Sequence, residues 1–176
     1  MKKIEIERKF LVDFPKSWID FMGIFDNLID TKRISQTYLK PIGNDPCARI
    51  RKTVEGLVGD TNTKFHFNKK TFVEDGVHDE TEFEITKSKY ENYLKNSHPD
   101  KVEIQKTRFV FKYKDQVFEL DVFKGPLKGL AILEIELKNK NDKVNLPPYL
   151  KIFEEVTNDE RFNNFSLASK KLHKKL

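Results

Sequence analysis

The stretch Ile4-Glu5-Ile6-Glu7-Arg8-Lys9-Phe10 decides how the rest of the sequence is read. Side chains alternate across a β-strand with period 2, so Glu5, Glu7 and Lys9 share one side of a strand while Ile4, Ile6 and Phe10 share the other. Two carboxylates at i and i+2 repel. Such a row persists where something positive sits between them, and a divalent cation with its taste for hard oxygen ligands is the natural candidate.

The same division recurs along the chain. Eight segments rich in β-branched and aromatic residues predict strands, at about 3–12, 33–40, 47–54, 63–71, 79–85, 106–113, 116–123 and 130–138. Arg49 and Arg51 alternate with Ala48 and Ile50, and His66, Asn68 and Lys70 with Phe65 and Phe67. Glu80, Glu82 and Glu84 oppose Thr81, Phe83 and Ile85. Lys106, Arg108 and Lys112 oppose Thr107, Phe109 and Phe111. Glu119 and Asp121 oppose Phe118, Leu120 and Val122, and Glu134 and Glu136 oppose Leu133, Ile135 and Leu137. Lys114-Asp115 marks a hairpin turn and Asp75-Gly76 a longer one between 71 and 79, so neighbouring strands pair antiparallel.

Two architectures suit this pattern. A half-exposed antiparallel sheet has one wet polar face. Alternatively, eight strands close into a barrel with the ionic faces inward. The signs decide between them: a solubilising face mixes charges, whereas these strands segregate them into Glu-Glu, Arg-Arg, a Glu triplet, Lys-Arg, Glu-Asp and Glu-Glu. Unpaired charges in a lumen are costly, so segregated acids and bases imply a cation held by carboxylates and a polyanion held by Arg and Lys. The expected fold is therefore α+β: an eight-stranded antiparallel closed β-barrel with a charged lumen and helices packed outside.

Helices are expected in the gaps. Pro15 opens one carrying Trp18, Ile19 and Met22, with Trp18 and Met22 in the core and Gly23 as the stop. Ser88 and Glu91 form a capping box, and Tyr93 on that helix reads as core. Pro147-Pro148 begins a helix with Tyr149, Ile152 and Phe153, and Ser166 caps a last one through Leu172. The basic tail with Lys174 and Lys175 reads as a solvated end.

With 176 residues, a net charge of +5 and 15 Phe, the sequence fits one domain, 1–176, with a sizeable core. The single Cys47 excludes an internal disulfide and reads as a small buried residue. No apolar run approaches a membrane span, and no signal-type segment follows Met1, so a cytoplasmic protein without a membrane partner is expected. The modest positive charge suits an anionic ligand. Nucleic acid is disfavoured because aromatic and basic residues lie on opposite faces rather than interleaving on one.

Six motifs in order carry a family resemblance: Glu5-Ile6-Glu7-Arg8-Lys9, Ala48-Arg49-Ile50-Arg51-Lys52, Lys106-Thr107-Arg108, Glu119-Leu120-Asp121-Val122-Phe123, Leu133-Glu134-Ile135-Glu136-Leu137 and Glu155-Val156-Thr157. In these the chain resembles the CYTH superfamily, the triphosphate tunnel metalloenzymes, and most of all its compact bacterial inorganic triphosphatases. The resemblance implies an eight-stranded tunnel that binds a triphosphate and one or two divalent cations, and an enzyme that hydrolyses a phosphoanhydride with Mg²⁺ or Mn²⁺. Thiamine triphosphatases and class IV adenylate cyclases are alternatives within the family, and a non-catalytic polyphosphate- or nucleotide-binding module is a third.

The resemblance also implies roles. Glu5, Glu7, Asp121, Glu134 and Glu136 are metal candidates, with Glu5 or Glu7 orienting the attacking water. Lys9, Arg49, Arg51, Lys70, Lys106 and Arg108 would bind phosphate, and Glu82 would orient them. Lys170 or Lys171 on the last helix would reach the tunnel mouth, with Lys171 the catalytic candidate. Three positions depart from the family pattern. Asn68 stands for a threonine, His78 for an arginine and Phe162 for a tyrosine, which puts substrate preference in question.

Overall fold

In a computed structural model, residues 2–13, 18–41, 48–56 and 62–173 are described; Pro15, Cys47, Lys174 and Lys175 lie outside them. The strands are β1 (Lys2–Val12), β2 (Leu28–Tyr38), β3 (Arg49–Glu55), β4 (Asn62–Glu74), β5 (Val77–Glu84), β6 (Ile104–Tyr113), β7 (Gln116–Phe123), β8 (Ala131–Leu137) and β9 (Ile152–Glu155). Their order is β5-β4-β3-β2-β6-β7-β8-β1-β9, and β5 also pairs with β1. That extra pairing closes eight antiparallel strands into a barrel and leaves β9 as an outer flap on β1.

Two tight turns fix neighbouring registers. Tyr113 pairs with Gln116 across Lys114-Asp115, and Lys114 takes φ +52° as a two-residue hairpin demands. Glu74 pairs with Val77 across Asp75-Gly76, where Gly76 has φ +72° and a Cβ would sit 3.2 Å from the Glu7 carbonyl oxygen. Both the positive φ and the close approach call for glycine there.

The apolar faces point outward and are covered there over most of the barrel, with Ile4 and Phe83 left exposed. Phe10, Phe111, Phe118, Leu120, Leu133 and Ile135 form the largest cluster, packed by Ile24 of α1 (Trp18–Phe25) and by Leu150. Ile50, Ile85 and Tyr90 form a second, with Phe65, Phe67 and Tyr93 against it, under α2 (Lys87–Leu94). The hydrophobic core is thus a shell around the barrel rather than its filling. The exception lies at one end of the lumen, where the inward positions turn apolar. Tyr38, Ile104, Phe123 and Ile132 pack there with Leu127 and Leu167, and Phe165 meets the Tyr38 ring edge-on at 5.1 Å.

Several local expectations are corrected. Ile152 and Phe153 belong to strand β9, not a helix; β1 offers them an open edge beyond Leu11, and pairing there wins over helix propensity. The α2 cap is Thr86, whose hydroxyl accepts from the Lys89 amide, rather than Ser88. Asn163, not Ser166, caps α3 (Asn164–Leu167), and a separate α4 (Lys170–His173) follows. Helix α1 runs through Gly23 to Phe25; the glycine there admits the Tyr149 ring, which a Cβ would meet at 2.8 Å, rather than stopping the helix. Met22 is half exposed rather than core. Strand β2 starts at Leu28, before the expected 33, with a bulge between Leu28 and Asp30 that breaks the alternation.

Candidate functional site

Contacts that skip a strand show where the ionic side chains aim. Lys70 on β4 places Nζ 2.6 Å from Glu7 Oε1 and 2.8 Å from Glu5 Oε2 on β1, although β5 lies between. Arg49 on β3 donates to Glu80 on β5 at 3.1 Å, and Arg108 on β6 donates to Glu134 on β8 at 2.6 Å. Only side chains on the concave side can meet this way. The lumen is a cavity of about 460 Å³ lined by Glu5, Glu7, Lys9, Arg49, Arg51, Lys70, Glu80, Lys106, Arg108, Glu119, Glu134 and Glu136 among others. That volume falls within the roughly 300–1,000 Å³ of small-ligand sites.

The β1–β8 register sets the carboxylates. Glu7 lies directly opposite Glu136, and Lys9 opposite Glu134. Like charges facing across strands repel, and two ammonium groups relieve the row: Lys9 Nζ sits 3.3 Å from Glu7 and 3.2 Å from Glu134, and Lys70 reaches Glu7 from across the lumen. Burial would raise the Glu7 carboxyl, but Lys9 and Lys70 outweigh it and hold it below the usual carboxylate range. Burial opposes ionisation of Glu134 too, and Lys9 and Arg108 hold it well below that range. Lys9 in turn is raised: burial works against its charge, and Glu134 and Glu7 overcome it.

The β6–β7–β8 wall is a closed lattice. Arg108 forks onto Asp121 through Nε and Nη2, each at 2.6 Å, and also bonds Glu134 and Glu119. Lys106 is paired with Asp121, which is 1% exposed. Burial lowers the Lys106 pKa, with Asp121 opposing and Arg108 adding to the fall. Burial raises Glu119 against the pull of Arg108.

The β3–β4–β5 wall is looser. Arg49 and Arg51 each have one carboxylate contact, to Glu80 at 3.1 Å and to Glu82 at 3.5 Å, and both Nε atoms are buried with no hydrogen-bond partner. Burial, then the neighbouring Arg49, lowers the Arg51 pKa. Arg51 is thus a cation crowded without enough negative charge; at Arg49 burial works against the charge too, but Tyr38, Glu80 and Glu5 outweigh it and its pKa is raised. Asn68, 0% exposed, donates to Glu82 and to Glu80 while its Oδ1 finds no partner. His78 sits 3.6 Å from Glu7 Oε1; burial and then Lys70 push its pKa below the ordinary imidazole value, so it adds no charge at neutral pH.

The structure therefore brings Glu5, Glu7, Lys9, Arg49, Arg51, Lys70, Lys106, Arg108, Glu134 and Glu136 to one cavity. Asp121 and Glu82 are not among its lining residues: Asp121 is enclosed behind Lys106 and Arg108, and Glu82 is held by Asn68 and Arg51. Lys171 is exposed on α4 and does not line the cavity, while Lys170 donates to the Pro99 carbonyl at the surface. Phe162 packs against the apolar end of the lumen. Sequence reasoning missed Gln36, which is 1% exposed, donates to the Tyr38 hydroxyl at 3.1 Å and leaves Oε1 unpartnered. The signal was available: Gln36 pairs with Arg51 across β2–β3 and shares its parity.

The donor set fits a hard divalent cation. All candidate donors are carboxylate oxygens, Glu5, Glu7, Glu134 and Glu136 line one cavity, and Glu5 Oε2, ion-paired to Lys70 at 2.8 Å, is buried without a hydrogen bond. Among the described residues, no three carboxylate or imidazole groups already converge as a metal cage. A cation here would complete its shell with water and phosphate oxygens, as Mg²⁺ usually does.

A barrel whose lumen joins a row of carboxylates to a row of arginines and lysines defines the class. The CYTH domain family matches residues 3–166, and the chain belongs to that family. The inorganic triphosphatase of Nitrosomonas europaea is 32% identical over 167 residues, covering 93% of this chain and 96% of that protein. An inorganic triphosphatase of Acetivibrio thermocellus is 38% identical over 69 residues, 39% of this chain and 43% of that protein. The crystal structure of the inorganic triphosphatase NE1496 superposes with a TM-score of 0.57 at 29% identity, over 93% of both chains. Family membership implies a divalent cation. Among the described residues, no helix is long and apolar enough to cross a membrane.

Proposed function

We propose that this chain is a divalent-cation-dependent hydrolase that cleaves inorganic triphosphate into pyrophosphate and orthophosphate. We read residues 1–176 as one tunnel unit serving that reaction, with Mg²⁺ or Mn²⁺ as its cation. One observation carries the reading: Arg49, buried, and Arg51, partly buried, each with a buried Nε that has no hydrogen-bond partner, face the carboxylate row of Glu5, Glu7, Glu134 and Glu136 across a single cavity. An anion rich in oxygen satisfies the first group, and the second can hold its counter-ion. The relatives named inorganic triphosphatase support the choice of substrate.

The residues divide the work. Arg49, Arg51 and Lys70 bind the phosphate oxygens, the guanidinium groups through planar forks and the ammonium as a point charge. Binding draws Arg49 and Arg51 off Glu80 and Glu82, and Asn68 remains to hold those two carboxylates. Glu5, Glu7, Glu134 and Glu136 would hold the cation, which when bound would withdraw charge from the phosphoryl oxygens and lower the pKa of a bound water. Glu5 or Glu7 orients the attacking water and accepts its proton as the terminal phosphorus–oxygen bond breaks. Lys9, Lys106 and Arg108 stabilise the charge that moves onto the departing pyrophosphate, which is where most phosphoryl-transfer catalysis lies.

The test is a phosphate-release screen over triphosphate, thiamine triphosphate, ATP and pyrophosphate, each with Mg²⁺ and with Mn²⁺. Release from triphosphate above all others is expected, and it disappears in chelator. Cyclic AMP from ATP would move the assignment to a cyclase. Tight triphosphate binding by calorimetry without turnover under any metal condition would make the chain a binding module.

A further inference from the structure

We infer that Thr157 is a positioning residue: its hydroxyl closes the seam of the barrel wall beside Glu7 and Lys9 and fixes where those two side chains stand. The inference rests on the function proposed above, since it concerns the same site, and no role for the Glu155-Val156-Thr157 motif has yet emerged from the lumen.

The seam follows from the strand pairing. Glu5, Glu7 and Lys9 share a parity, so their backbone N–H and C=O groups share one edge of β1. At Glu5 that edge is taken by β5, whose register with β1 ends at the Ile6–Val77 pair. Strand β9 takes it up only from Phe10, opposite Glu155. Between them, on that edge, Glu7 and Lys9 have no strand alongside, although β8 lines the opposite edge. The Glu7 amide donates to the Gly76 carbonyl at 3.0 Å, from the turn that ends β4. The Lys9 amide donates to Thr157 Oγ1 at 3.1 Å, and the Lys9 carbonyl accepts from the Val156 amide at 2.8 Å. A side-chain hydroxyl therefore completes the ladder at a residue whose ammonium group sits among the lumen carboxylates.

The hydroxyl is itself oriented. Thr157 Oγ1 donates to Glu155 Oε1 at 2.7 Å, which leaves its lone pairs for the Lys9 amide. Glu155 is held in turn by Arg8, through Nε at 2.8 Å and Nη2 at 2.5 Å. The chain of contacts runs from Lys9 through Thr157 and Glu155 back to Arg8, so it begins and ends on β1. The Thr157 methyl faces Gly76, 3.4 Å from where a Cβ on that glycine would stand. Thr157 thus stands beside the turn whose carbonyl bridges the gap at Glu7, while its own hydroxyl bridges it at Lys9. Valine keeps its shape and loses the hydroxyl; serine keeps the hydroxyl and loses the methyl.

The experiment compares T157V and T157S with the parent protein by steady-state triphosphate hydrolysis with Mg²⁺ and by amide hydrogen exchange at Lys9 and Glu7. T157V is expected to lower kcat about tenfold or more, with KM within about threefold, because displaced reacting groups cost rate more than binding. The Lys9 amide exchanges faster in T157V than in the parent, and T157S recovers kcat and protection to within about threefold. Parent-like kcat in T157V, unaltered Lys9 exchange, or a T157S defect equal to that of T157V overturns the inference. If T157V does not fold, E155Q decides: accelerated Lys9 exchange supports the clamp and parent-like exchange overturns it. Exchange needs no substrate, so a parent protein inactive on triphosphate defeats the proposed function while the clamp is still judged.

Discussion

The two walls of the lumen hold similar residues in different states. On β6–β7–β8 every guanidinium nitrogen of Arg108 finds a carboxylate, and Asp121 is sealed behind Lys106 and Arg108. On β3–β4–β5 Arg49 and Arg51 each hold one glutamate loosely and keep a buried Nε in reserve. The difference separates scaffold from receiver. A buried charge lattice with all its bonds made is costly to break, whereas an under-satisfied one gains most from an incoming anion. We propose that the first wall shapes the cavity and the second binds the anionic substrate.

Removing the hub of the tight wall should have the largest effect on the fold. R108A leaves Asp121, Glu119 and Glu134 without their shared cation, and denaturant unfolding should show a loss of about 3–5 kcal/mol. R51A is the counterpart: kcat/KM for triphosphate should fall about 100-fold, while stability changes by about 1 kcal/mol or less. If R51A unfolds the protein and R108A merely slows it, the two walls have been assigned the wrong way round.

The third prediction concerns pH. Lys106 binds its proton more weakly folded than unfolded, because burial outweighs Asp121. Between the lowered folded pKa and the ordinary lysine value the unfolded chain carries more protons, so stability rises with pH in that window. On the proposed function, the ammonium charge that steadies the departing pyrophosphate disappears over the same window, so kcat/KM for triphosphate should fall on the alkaline side below the ordinary lysine pKa. K106R should move that limb upward in a pH profile of kcat/KM. An unmoved limb would detach Lys106 from the reaction. The smallest effect is expected from N68T, which loses one of the two amide donations to Glu80 and Glu82. A stability cost of about 1 kcal/mol and a KM change of about threefold are expected, and a larger change would mean that Asn68 governs more than two carboxylates.

Much of this was legible in the sequence because strand parity is a strict code. Once Glu5, Glu7 and Lys9 share a side, segregated signs on the other strands leave little choice but a common interior, and the cross-lumen contact of Lys70 with Glu7 bears this out. Which charges neutralise one another was not legible. That Arg108 is saturated and Arg51 is not depends on side chains meeting from strands two apart, and no local pattern encodes it. Strand β9 was missed for a related reason: Ile152–Glu155 reads as readily helical as extended, and only the vacant edge of β1 decides. Thr157 was visible as part of a motif, but its purpose needs the place where two strands fail to meet.

One feature of the topology reaches beyond the site. Strand β1 leaves the ribosome before each of its partners β5, β8 and β9, the last two far downstream of it in the sequence. Closure thus depends on contacts of very long sequence separation, which slow folding. Until β8 and β9 emerge, the acidic row on β1 remains solvated and unclosed, so the cavity is among the last parts of the molecule to take shape.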